Sequence, residues 1–70
     1  MDFSKLRGRI IEKFRTGKNF AEAMGMSTRT LSMKLNGCRE FKPTEIVKAL
    51  SLLELKAEDV QVYFFTLKVQ

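Results

Sequence analysis

Histidine is absent from this 70-residue chain, and cysteine occurs once, at Cys38. No internal disulfide can form, and the lone thiol lacks the imidazole or second thiolate that a zinc site needs. A reducing cytoplasm suits such a chain. Long apolar runs are missing too: nowhere do eighteen consecutive apolar residues occur, and the opening MDFSKLRGR lacks the apolar stretch of a signal peptide. The expectation is a protein neither secreted nor membrane-spanning. The chain also has no internal repeat, low-complexity run, linker or glycine-rich phosphate loop. The thiol has no base to activate it, and the nearest carboxylate pair, Glu58-Asp59, suits the acidic first turn of a helix. These absences argue against an enzyme and predict neither cofactor nor metal.

What is present is an apolar content of 44%, including six Phe, which exceeds that of disordered segments. Seventy residues is near the lower size for a core without disulfide or metal, so residues 1–70 are read as one domain. The net charge of +5 and pI near 9.7 favour anionic partners. That charge is uneven. Residues 1–42 hold ten Lys and Arg against four acids, net +6, whereas residues 43–70 hold three Lys against four acids, net −1. The positive potential belongs to the N-terminal half.

Apolar periodicity predicts an all-α fold of five helices, over about 3–15, 18–24, 28–36, 43–53 and 57–64. In the first, Phe3, Leu6, Ile10, Ile11 and Phe14 share a face, with Asp2 or Ser4 as cap. Phe20, Ala21 and Met24 mark the second, which Gly25 ends. Ser27 stands as N-cap of the third, Leu31 and Leu35 lie one turn apart, and Gly37 closes it. Pro43 suits a first turn, and Ile46, Val47, Leu50 and Leu53 form the fourth apolar face. Val60, Tyr63 and Phe64 mark the fifth. The tail from Phe65 to Gln70 alternates apolar and polar, a pattern that suits a short extended segment.

Residues 20–37, FAEAMGMSTRTLSMKLNG, have the order a helix-turn-helix requires. Ala21 is small enough for the third helix to cross close by, and Gly25 can take the positive φ of a short turn. Met26 and Leu31 fill the angle between the helices while Ser27 caps the second of them. These residues, with the opening DFSKLRGRIIEKF and the later EIVKALSLLEL, resemble the lambda-repressor and Cro-like family, above all the short Cro-like regulators of temperate phages of Gram-positive bacteria. The resemblance covers nearly the whole chain. It implies a compact five-helix DNA-binding domain acting in the cytoplasm of a bacterial host.

On a helix starting at Ser27, steps of about 100° place Leu31 and Leu35 inside and Thr28, Arg29, Ser32, Met33 and Asn36 outside. Arg29 is the best base reader, because its guanidinium can donate twice to guanine O6 and N7. Thr28 and Ser32 can bond base edges, and Met33 can touch a thymine methyl. The resemblance also places base contacts at these early positions of the third helix. Lys18, Asn19, Lys34, Asn36, Arg39 and Lys42 flank that face as expected phosphate contacts.

Two positions depart from the family pattern. Gly17 stands where many members carry a glutamine that reaches a phosphate or base, so one expected contact is missing. Lys34 stands where many have a core aliphatic residue, so its stem must pass Leu31 and Leu35.

Two functions follow. The first is a transcription regulator that binds operator DNA as a homodimer, with Phe65, Leu67 and Val69 either forming the dimer surface or covering the protein's own core. The second is a protein-binding modulator, an antirepressor or co-repressor that contacts a partner phage repressor. The basic N-terminal half favours the first, and Gly17 and Met33 favour the second. A membrane-surface role for the first helix fails because its apolar face is needed for the core.

Overall fold

A computed structural model describes residues 3–65. Five α-helices and one 3-10 turn follow in order: α1 (Ser4–Phe14), α2 (Gly17–Met24), α3 (Thr28–Leu35), α4 (Pro43–Leu52), the turn Ala57–Asp59 and α5 (Val60–Phe64). The fold is all-α, as the periodicity predicts, and no strand occurs among the described residues. Of the expected extended tail, only Phe65 falls within them, in a bend; 66–70, with the expected contacts Leu67 and Val69, lie outside the described residues.

Local chemistry sets the helix ends. Phe3 occupies the N-cap position of α1, where a capping side chain was expected, and makes no side-chain cap hydrogen bond. The helix α2 starts one residue earlier than its apolar pattern, because the Thr16 hydroxyl accepts the Asn19 N–H at 3.1 Å. Gly25 takes φ +77° and ends α2: its N–H reaches the Glu22 carbonyl, and the Met26 N–H reaches that of Ala21. That pairing is a Schellman motif. Gly37, at φ +81°, ends α3 the same way, with Cys38 N–H on the Met33 carbonyl at 2.8 Å. Before α4, the Glu45 carboxylate at the third helical position accepts the Lys42 N–H at 2.8 Å.

The helix α2 lies at the centre and packs against α1, α3 and α4, while α5 closes the far side against α1 and α4. The buried core joins Leu6 and Ile10 of α1, Phe20, Ala21 and Met24 of α2, Leu31 of α3, Ala49 and Leu53, and Phe64 of α5. Aromatic edges knit it together: Phe14 meets Phe20 at 5.2 Å between centroids, and Phe41 meets both Phe3 at 5.6 Å and Phe64 at 5.3 Å. Two residues read as core from periodicity lie outside it. Ile11 is 54% exposed and Val47 67% exposed, because each falls beyond the edge of its helix's buried arc. Met33, expected on the outer face, is half-buried.

Candidate nucleic-acid interface

The helices α2 and α3 are joined by three residues, Gly25, Met26 and Ser27. The Ser27 hydroxyl accepts the Thr30 N–H at 3.0 Å and donates to Thr30 Oγ1 at 2.9 Å. This reciprocal cap fixes the start of α3 and therefore the direction of its outer face. Ala21, opposite, is buried and small, which lets the two helices approach.

Thr28, Arg29 and Ser32 are all exposed on α3, and Leu31 is buried behind them. Among the described residues Arg29 makes no hydrogen bond or ion pair, so its guanidinium is free to donate. Ser32 accepts from the Asn36 amide at 3.4 Å, and the Asn36 oxygen accepts from Arg7 Nη2 at 2.6 Å. Arg7 thus joins the end of α3 from α1, across 29 positions of sequence. Helical periodicity had no means of finding it.

Lys18, Asn19, Asn36, Arg39 and Lys42 are exposed as a phosphate contact requires. Asn19 also has a structural task, since its amide donates to the Phe14 carbonyl at 2.9 Å and so closes the end of α1. Gly17 has room for a side chain: a Cβ there would come no nearer than 4.0 Å to Leu31 Cδ2.

Lys34 departs from the expected phosphate contacts. Far from reaching a phosphate, it is 4% exposed, and its ammonium donates to Glu45 Oε1 at 2.8 Å and to the Glu40 carbonyl at 3.1 Å. The ammonium also lies 5.9 Å from the centroid of the Phe41 ring. The same Glu45 oxygen accepts the Lys42 N–H, so one carboxylate caps α4 and anchors α3. Desolvation pushes the Glu45 carboxyl up, but the Lys34 and Lys42 hydrogen bonds and their charges outweigh it and hold the group below its ordinary range. A charged residue at an apolar helix position requires a partner, and Glu45 supplies it from the next helix.

No helix among the described residues is long and apolar enough to cross a membrane. None of their Cys, Asp and Glu side chains cluster in threes to hold a metal ion.

No curated protein matches the chain. Among solved structures it is similar to the modulator of repression (MOR) of the temperate bacteriophage TP901-1 from Lactococcus lactis. The two are 51% identical, the match covers 99% of this chain and 93% of that one, and the TM-score is 0.83. Residues 1–67 match the family described as "Protein of unknown function (DUF739)", and the chain belongs to that family.

Proposed function

We propose that this chain is a phage modulator of repression, which acts in a bacterial host by binding a partner repressor protein. The observation that carries this reading is the 51% identity, over 99% of the chain, to a protein that modulates repression in a temperate phage. The reading needs only a folded binding surface, and it does not need the supporting contact that Gly17 lacks. The role is one of binding rather than catalysis.

A second reading is favoured by one feature, the free Arg29 beside exposed Thr28 and Ser32. On this reading α3 enters the major groove of operator DNA, as in the lambda-repressor and Cro-like regulators, with a homodimer spanning two half-sites. Lys18, Arg39 and Lys42 then hold phosphates, and binding falls steeply with salt.

A titration of operator DNA at two salt concentrations, with and without the repressor of the same phage, separates the two. A modulator shifts DNA binding only when repressor is present. Sequence-specific binding by the chain alone, abolished by Arg29→Ala without loss of thermal stability, would establish the second reading instead.

A further inference from the structure

Two cations of α1, Arg9 and Lys13, are neutralised by carboxylates within the chain, and Arg7, among the described residues, is not. Arg9 pairs with Glu12 at 2.6 Å and donates to the Leu53 carbonyl at 3.1 Å, and Lys13, one turn on, pairs with Glu54 at 2.8 Å. Arg7, about 200° round the helix from Arg9, meets only the neutral amide of Asn36 among the described residues. That amide holds the guanidinium without neutralising it, and Arg7 is exposed, with further N–H groups to offer a second acceptor.

Beside Arg7 lie Ile11 and Gly8, the three spanning about 100° of arc. Ile11 is 54% exposed. A Cβ on Gly8 would meet nothing within 4 Å, so no contact inside the described chain requires glycine, although glycine weakens a helix interior. The missing side chain leaves room for a second backbone to pass close to α1. Phosphate would use Arg7 and gain nothing from an exposed isoleucine or an open glycine. A protein helix uses all three: a carboxylate on Arg7, an apolar side chain on Ile11 and close approach over Gly8.

We infer that the Arg7, Gly8 and Ile11 face of α1 docks an acidic, amphipathic helix of a protein partner. Resting on the reading above, that partner is the phage repressor. The test is a calorimetric titration of purified repressor from the same phage with the full chain and its variants. Gly8→Leu and Arg7→Glu should each weaken binding by about tenfold or more. Gly8→Leu should leave the melting temperature unchanged or raised, because leucine is the better helix former and the space is open. Arg7→Gln, which removes the charge without reversing it, should weaken binding as well, and its melting temperature separates loss of charge from loss of fold. Repressor binding that survives all three variants overturns the docking face and leaves the modulator reading standing. No binding by the unaltered chain overturns both. Operator binding that is weakened by Arg7→Gln but untouched by Gly8→Leu assigns the face to phosphate, and overturns the inference.

Discussion

Two ion pairs in this molecule close at the same distance and have different consequences. Lys34–Glu45 and Lys13–Glu54 both measure 2.8 Å, but the side chains of the first are 5% and 22% exposed and those of the second 31% and 71%. The first joins α3 to α4 beneath the candidate interface, where the ammonium has no water to fall back on. The second ties the ends of α1 and α4 at the surface, where water competes for both partners. Burial, more than distance, decides what each contributes.

The largest expected effect is therefore at Glu45. Glu45→Ala leaves the buried ammonium without a counter-charge, holding only the Glu40 carbonyl, and removes the α4 cap, at a cost of about 2–3 kcal/mol; the partial exposure of Glu45 keeps this below the roughly 3–5 of a fully buried pair. Lys34→Met should cost within about 1 kcal/mol, since an apolar stem can fill the space by Phe41 while Glu45 keeps the Lys42 N–H. Urea denaturation of both variants measures the asymmetry. Equal losses would mean that the pair, and not the stranded charge, sets the energy.

Acid sharpens the same point. The folded Glu45 carboxyl titrates below its ordinary value of 4.5, so the unfolded chain binds that proton more readily. The stability it contributes is fully present above the ordinary value and is lost as pH falls through the lowered one. The gap in melting temperature between the unaltered chain and Glu45→Gln should accordingly be wide at neutral pH and narrow at about pH 3. A gap that stays constant would rule out the carboxylate as its source.

The comparison also explains what was legible in the sequence. Gly25, Ser27, Gly37 and Pro43 announced the helix ends because each acts on backbone within a few positions, and the helices stand close to where they predict. Thr16 is equally local, and its place three residues before Asn19 was a readable capping signal. The exposure of Thr28, Arg29, Ser32 and Asn36 on α3 followed from the cap and the period, although Met33 at the edge of that face is half-buried. Lys34 did not, because its partner belongs to another helix, eleven positions on, and a helical wheel shows direction without showing what waits there. Arg7 escaped for the same reason at longer range. Ile11 and Val47 show the converse limit: apolar spacing marks the centre of a buried arc better than its edges.

Between the two ion pairs in expected size lies the turn before α3. Ser27→Ala removes both hydrogen bonds with Thr30 and should cost about 1 kcal/mol. These bonds are neutral, so the loss should be the same at low and high salt, unlike that of any surface charge. Thermal melts of the variant in both conditions check this. A loss that shrank with salt would mean that the cap acts through the charges around α3.

The smallest effect is expected at the surface pair. Glu54 sits at φ +55°, a left-handed conformation that ends α4 and that glycine takes more easily than glutamate. Glu54→Gly eases that conformation and gives up only an exposed contact, although Lys13 holds the Glu54 carboxyl below its ordinary range by a hydrogen bond and by its charge. The two changes oppose one another, and the backbone term should prevail, since screening by water and salt leaves the ion pair little to lose. The melting temperature of Glu54→Gly should stay level or rise slightly, and Lys13→Ala should leave it unmoved. A fall at Glu54 comparable with that at Glu45 would mean that the end of α1 is held by charge as firmly as α3 is, and the contrast between buried and exposed pairs would collapse.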